Sequence, residues 1–419
     1  MRNPTFAHAL SRPGLSEERG FTLLELMISV LITLGTTAAI FTLVDPARGR
    51  YRTQPEVSDM QQRFRVGTSL ITNDLLVAGA GSKVGGGTNG KLLNYFAPVQ
   101  PVRLGDINPD PPNGVFYRDN AITIFYIPPD AAETEVAFSM PEPSAELQVA
   151  AEPSCDEYHS LSCKFETGMR LLIFGDDTGA FDEMTLTQVQ DLGPDDKLQG
   201  PRHVTWKGNL QHNLAKLSAR YAAGSRIAQV AQRTYYLDAV NHQLRFYDGS
   251  QRDEALVENV VSLQFEYYGE SRGPVLVWSA EENKWVGSYG PAPPKLGDTT
   301  STTWPAGENC TFRVDPVTGF QSSRLPDLVL GSQALVRLTE GMLTDGPWCP
   351  DETNPNRYDA DLLRLRKVRV SMRLQVESAD LRGAGALFSR PGTGQNARTL
   401  VADQESHFDV SPRNLNIGR

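Results

Sequence analysis

Positions 21–44 are apolar or small and weakly polar, and the only charge among them is Glu25. A helix rising 1.5 Å per residue over this stretch is long enough to cross a hydrocarbon core of about 30 Å. Asp45-Pro46 is expected to mark where the helix leaves the membrane. Pro46 should kink it or open a turn, because proline removes a backbone donor, and Pro55 should do so again. Beyond it Val57, Met60, Phe64, Ile71, Leu75 and Ala78 recur at steps near three and four, with one gap around Gly67 and Thr68. That spacing predicts an amphipathic helix laid on a globular domain, ended by Gly79-Ala80-Gly81.

After Gly81 the texture changes to β-sequence punctuated by glycine and proline. Strands are predicted at 121–127, 170–174 and 185–189, each rich in apolar or β-branched residues. A hairpin is predicted from 232–237 through a turn at 238–242 into 244–247, followed by a strand at 260–268. Residues 368–376 alternate apolar and polar almost perfectly, the mark of a half-buried strand, and 407–415 reads as a short last strand. Between them, 269–361 is rich in Pro, Gly, Thr and Trp and reads as a loop-rich insert.

Glu25 is the anomaly in this pattern. A carboxylate deep in an apolar helix costs about 2.5–3.5 kcal/mol on insertion scales, so it is expected to have a partner. The junction Gly20-Phe21-Thr22-Leu23-Leu24-Glu25, followed by an apolar run and preceded by a short polar leader, resembles the type IV prepilin signal. A secretory signal peptide carries its apolar region before the cut and loses it, whereas here the run follows the junction. The resemblance implies cleavage by a prepilin peptidase between Gly20 and Phe21, N-methylation of Phe21, and a retained helix. It also implies that Glu25 meets the positive N-terminus of a neighbouring subunit.

A second resemblance runs along the chain. The stretch 59–65, the Asp74-Leu75-Leu76-Val77-Ala78-Gly79 ending of the helix, the Tyr-Tyr-Leu entry to the hairpin, the strand at 258–268 and the Arg413-Asn414-Leu415 terminus are similar to PilW-type minor pilins. They are similar also to the related GspJ-type pseudopilins of type II secretion. Gln62, Arg63 and Arg65 read as a solvated face and Asp74 as ambiguous; all four are taken as family markers, not as sites. The length of the chain and the 269–361 segment depart from the family pattern.

Composition fits an exported acidic protein. The 419 residues carry a formal charge of −10. The leader, with Arg2, Arg12 and Arg19 against Glu17 and Glu18, accounts for +1, which leaves the mature chain at −11. No basic stripe is present, so nucleic acid is not an expected partner. Cys155, Cys163, Cys310 and Cys349 lack the repeated spacing of a zinc site. In an exported domain they read as two disulfides, most simply Cys155–Cys163 and Cys310–Cys349, with the two other pairings open.

Signatures of catalysis and ligand binding are absent. None of the six histidines belongs to an H-E-x-x-H pattern, and no G-x-S-x-G elbow occurs. Gly85-Gly86-Gly87 follows a predicted helix and lacks Gly-Lys-Ser, so it reads as a linker. Asp106 to Asp110 spaces oxygens as calcium loops do, but prolines stiffen it and the closing Glu is missing. Asp176-Asp177, Asp182-Glu183 and Asp195-Asp196 read as solvated turns. Trp278, Trp285, Tyr289 and Trp304 read first as loop anchors and alternatively as a surface for stacking sugars.

The expected protein is therefore α+β: a long N-terminal helix packed on an antiparallel pilin-like domain with a large loop-rich insert. The expected divisions are a cleaved leader (1–20), an assembly helix (21–80) and an extracytoplasmic domain (81–419) carrying the 269–361 insert. No catalytic residue, metal or cofactor is expected. The resemblance implies a structural minor pilin that helps initiate or cap a pilus serving adhesion or twitching. Its implied partners are the prepilin peptidase, other minor and major pilins, the inner-membrane assembly platform and, before assembly, the inner membrane itself. A type II secretion pseudopilin and a tip-displayed adhesin or carbohydrate-binding module are the alternatives.

Overall fold

The computed structural model describes residues 20–81, 92, 96–110, 117–143, 146–150, 164–174, 181–200, 203–217, 220–271, 276–279, 284–287, 312–314, 317, 321–323, 334–345, 348–349, 358–395 and 399–416. Helix α1 spans Leu23–Val77, 55 residues and so roughly 80 Å long. The strands that follow are β1 (Val99–Gln100), β2 (Ala121–Tyr126), β3 (Glu133–Glu135), β4 (Glu146–Ala150), β5 (Arg170–Phe174), β6 (Phe181–Gly200) and β7 (His203–His212). Next come β8 (Arg226–Gln229), β9 (Ala231–Asp238), β10 (Gln243–Tyr247), β11 (Asp253–Glu258), β12 (Val260–Glu270), β13 (Leu276–Ser279) and β14 (Lys284–Gly287). The last are β15 (Phe312–Val314), β16 (Gln321–Ser323), β17 (Leu335–Leu338), β18 (Trp348–Cys349), β19 (Tyr358–Asp359), β20 (Leu365–Leu374) and β21 (Gln404–Val410). A helical turn, α2 (Arg413–Asn416), follows them. The protein is thus mixed helix and sheet, mostly sheet, with one apolar N-terminal helix.

Neither proline opens a turn in the helix. It continues through both Pro46 and Pro55. Each proline deprives one carbonyl, four residues upstream, of its donor, while its fixed φ still fits the helix. In a helix this long, the bonds on either side carry the element through.

Every described strand pair is antiparallel. One sheet has the order β1-β2-β9-β10-β11, a second β17-β12-β20-β21, and a third β3-β8-β5-β6-β7-β4. Alternation fixes the second sheet: Leu263, Phe265 and Tyr267 of β12 face Met372, Val370 and Val368 of β20, all buried. The opposite face of β20 is polar, with Lys367 and Arg369 both paired to Asp409 of β21. The arginine pair holds the Asp409 carboxyl down at about 2.

Two apolar cores result among the described residues. The first lies between α1 and the first two sheets, and the second lines the third sheet. β5 and β8 form the wall between them. Leu172 and Phe174 face the first core while Leu171 and Ile173 face the second. This explains why 170–174 reads as a continuous apolar run: successive side chains of a strand point to opposite faces, and here both faces are buried.

The C-terminal half of α1 packs where the periodicity placed it, through Met60, Phe64, Ile71, Leu75 and Ala78. The gap in the pattern is itself a contact. Gly67 is buried, and a Cβ there would stand 3.2 Å from Met372 Cε and 3.3 Å from both Leu244 Cδ2 and Val257 Cγ2. The missing side chain lets the helix touch both sheets at once. Gly67→Leu is expected to lower stability by about 1–3 kcal/mol through overpacking. Thermal unfolding of the two proteins side by side checks this, and equal midpoints would sink it.

Two further differences from the sequence pattern concern the chain's end and the insert. The strand predicted at 407–415 stops at Val410, and Arg413–Asn416 is helical. Asn414 Nδ2 donates to the carbonyls of Val77 (3.2 Å) and Ala78 (3.3 Å), so the terminus caps α1. Gly79, at φ +76°, turns the chain away there, with room for a Cβ closed by Pro98 and Leu415. Part of 269–361 returns to the main core: β17 pairs with β12, and Leu338, Leu343, Cys349 and Tyr358 are buried in it. Cys349 is disulfide-bonded. Cys155, Cys163 and Cys310, and with them the expected pairing, lie outside the described residues, as do Tyr289 and Trp304.

Candidate functional site

The first described residues are Gly20 and Phe21, both exposed, Phe21 at 90%. The leader at 1–19 lies outside the described residues. Thr22 is the N-cap of α1, with extended backbone at φ −73° and ψ 150°. Its Oγ1 accepts from the Glu25 amide at 3.3 Å. In return, Glu25 Oε2 accepts from the Thr22 amide and the Thr22 hydroxyl, both at 3.0 Å. This is a capping box, in which two orphan amides at the helix end satisfy each other's side chains. The Thr-x-x-Glu spacing carried that signal in the sequence, but hydrophobic periodicity does not register it.

The box uses one carboxylate oxygen. Glu25 Oε1 has no hydrogen-bond partner among the described residues, and the side chain is fully exposed. Glu25 therefore stands at the positive end of the helix with an acceptor left over for a donor from outside the chain.

Behind it, Leu23–Thr42 forms an apolar span of 20 residues with mean hydropathy 2.0 and nothing buried against the rest of the protein. At 1.5 Å per residue the span is about 30 Å, the thickness of a hydrocarbon core. Its hydroxyls are satisfied within the helix. Ser29 donates to Leu26 O, Thr33 to Ser29 O, Thr37 to Thr33 O and Thr42 to Ala39 O. With its hydroxyls spent internally, the span beyond Glu25 can face lipid or the apolar face of another helix at little cost. Such a helix is compatible with a membrane anchor or a signal sequence.

Asp74, read as ambiguous in the sequence, locks the other end of α1. Its Oδ2 accepts from Tyr235 Oη at 2.6 Å and its Oδ1 from Tyr126 Oη at 3.5 Å. Arg233 Nε donates to that same Tyr126 oxygen at 3.4 Å, and its guanidinium lies over the Phe246 ring. Burial pushes the Asp74 carboxyl up, against the Tyr235 bond and the Arg233 charge. Burial, with Asp74 beside it, likewise raises the Tyr235 hydroxyl. Gln62 and Arg65 lie on the exposed face, while Arg63 pairs with Asp59 at 2.6 Å and Glu377 at 3.6 Å.

Several other acidic groups are tied to arginines. Asp110 binds the Arg103 amide and the Arg118 guanidinium, each at 2.6 Å, and Asp106 pairs with Arg170. Arg103 Nη1 donates to the carbonyls of Ile107 and Asn108, so the 106–110 loop is wrapped around a guanidinium. Glu183 pairs with Arg170, and Tyr221 donates to Asp182. Asp345, Asp359 and Asp361 bring carboxylate oxygens within 4.8 Å of one another. Burial, opposed by Arg364 but helped by Asp359 and Asp345, pushes the Asp361 carboxyl up to about 7. Arg364 Nε, 3.1 Å from Asp361 Oδ1, supplies the positive charge there.

A cleft of about 960 Å³ opens where Arg170, Arg233 and Arg252 approach Asp106, Glu166 and Asp248. Its charges alternate in sign, and Arg170 and Arg252 are already paired, to Glu183 and Glu254. Asp176 and Asp177 lie outside the described residues, as do the side chains of Asp195 and Asp196. Comparison with protein-family models, with curated proteins and with solved structures found no match.

Proposed function

We propose that the chain is a type IV prepilin-like protein of the PilW-type minor pilin class, a structural subunit that helps initiate or cap pilus assembly. The observation that carries this reading is the half-used Glu25 carboxylate, fixed at the start of a fully exposed apolar helix. Before assembly the span holds the subunit in the inner membrane, with the sheet domain on the extracytoplasmic side. On extrusion the same apolar surface passes from lipid to the helices of neighbouring subunits. The free oxygen of Glu25 then takes the N-terminal ammonium of an adjacent subunit, which compensates the carboxylate where the dielectric is low. In this reading the long helix laid on antiparallel sheets is a pilin-like architecture. The minor and major pilins, the prepilin peptidase and the inner-membrane platform are its partners.

Maturation is the test. Expressed with a prepilin peptidase, the protein is expected to lose residues 1–20 and to begin at Phe21, heavier by one methyl group. Intact mass and N-terminal sequencing, with and without the peptidase, read this directly. An uncut chain, or a cut elsewhere, would reduce the helix to a plain anchor. Gly20→Val should abolish the cut without changing membrane insertion. A type II secretion pseudopilin shares all of this chemistry and is separated from the pilus reading by which machine fails when the chain is deleted.

A tip-displayed carbohydrate-binding module is the second reading. It is favoured by the register of the β13–β14 hairpin, which sets Trp278 directly opposite Trp285.

A further inference from the structure

The loop that follows β20 carries a pair of arginines without counter-charges. Arg382 is 9% exposed, and Arg390 is half-buried on the same loop. Arg382 Nη1 and Arg390 Nε donate into one and the same neutral atom, Gln375 Oε1, at 2.8 Å and 2.9 Å. The shared acceptor brings the two guanidinium groups to within a few ångströms of each other. Arg390 Nη2 goes to a second neutral acceptor, Asn259 Oδ1, at 3.2 Å. Arg382 Nε is buried and has no hydrogen-bond partner.

The nearest carboxylate is already committed elsewhere. Asp403, with its side chain fully buried, pairs with Arg373 at 3.0 Å and accepts from the Ser389 amide and Gln375 Nε2. Neither Arg382 nor Arg390 forms an ion pair with a described carboxylate. The imbalance is visible at Arg390: burial and the nearby Arg382 both hold it below the usual arginine value, with Asp403 opposing. Two like charges drawn together, one buried and one half-buried, with only neutral oxygens as acceptors, are arranged for an anion.

We propose that Arg382 and Arg390 form a binding site for a phosphate group, taken from free phosphate or from a lipid headgroup. The planar forks of arginine match the oxygens of phosphate, and two of them match its double charge. The position admits both sources. Asp380 pairs with Arg52 at 3.4 Å, which puts the loop at the end of the domain where α1 leaves towards its apolar span. Only ten helical steps, from Thr42 to Arg52 and about 15 Å, separate that contact from the end of the span. The proposal does not depend on the pilin reading.

The full-length chain in neutral detergent, titrated with inorganic phosphate against chloride at matched ionic strength, is expected to bind phosphate saturably by calorimetry. Its unfolding midpoint should rise with phosphate concentration. Arg390→Gln, at the half-buried position, is expected to weaken binding by about tenfold or more, equivalent to about 1.4 kcal/mol. Asn259→Asp supplies Arg390 with a carboxylate from within and should weaken it similarly while keeping both arginines. Glycerophosphoglycerol competing as well as inorganic phosphate assigns the site to a headgroup, and selectivity for the inorganic dianion assigns it to free phosphate. No saturable phosphate binding overturns the site, as does affinity unchanged from the parent in both variants. Acetate binding as tightly as phosphate would overturn the phosphate assignment.

Discussion

Glu25→Ala is expected to leave the chain in the membrane and remove it from assembled filaments. Insertion should not suffer, because the substitution deletes a charge that costs about 2.5–3.5 kcal/mol in an apolar helix. Incorporation should suffer if the chain is the pilin subunit proposed above, because the ammonium of the adjacent subunit would then be buried without its partner. Breaking a buried ion pair from one side costs about 3–5 kcal/mol, two or more orders of magnitude in an equilibrium.

Glu25→Gln separates the two tasks of this side chain. The amide can still accept from Thr22 and so keeps the capping box, worth about 1 kcal/mol to the helix end. It cannot neutralise an ammonium. If the charge is what matters, the Gln variant fails like the Ala variant when sheared filaments are blotted against membrane fractions. Wild-type incorporation of Glu25→Gln would leave Glu25 as a cap and nothing more.

Asp74→Ala is expected to destabilise the contact between α1 and the first sheet. It leaves Tyr235 Oη, on a side chain 2% exposed, without its acceptor at the helix–sheet contact. An unsatisfied buried hydroxyl and the cavity beside it together cost about 2–4 kcal/mol. Asp74→Asn should behave in the opposite way, since a neutral carbonyl oxygen can still accept from Tyr235.

The sign follows from the raised carboxyl. A group with a folded-state pKa above its ordinary value binds more protons folded than unfolded, so its contribution falls as pH rises between the two values. Ionised Asp74 therefore carries a burial penalty at neutral pH that Asn does not. Thermal unfolding of parent and Asp74→Asn from acid to neutral pH should show the variant gaining on the parent as pH rises. If the variant instead loses ground with rising pH, the charge on Asp74 is a net asset and the argument from burial fails.

Much of this structure was legible in the chain because local rules carried it. A span of apolar residues that makes all its backbone bonds internally announces itself in any context, and Leu23–Thr42 does so. Alternation at period two announced β20, since one face is core and the other carries Lys367 and Arg369. Glu25 stood out as the lone charge in an apolar run, the Gly20–Phe21 junction stood out only through its resemblance to the prepilin signal, and the capping box was written in the Thr-x-x-Glu spacing.

Only the tertiary structure decided the rest, and each instance turns on a partner far away in sequence. Whether Pro46 and Pro55 break a helix depends on what the remaining bonds can hold, not on proline's local preference. Gly67 counted as a gap in the apolar pattern because periodicity weighs side chains, whereas its contribution is to have none where two sheets converge. Asp74 meets Tyr235 across 161 positions, and Asn414 caps Ala78 across 336. The two arginines beside Gln375 look in sequence like solvated surface charge. They are drawn together only because the loop after β20 folds back on its own sheet, and a chain's local pattern holds no record of which of its distant polar groups will be short of a partner.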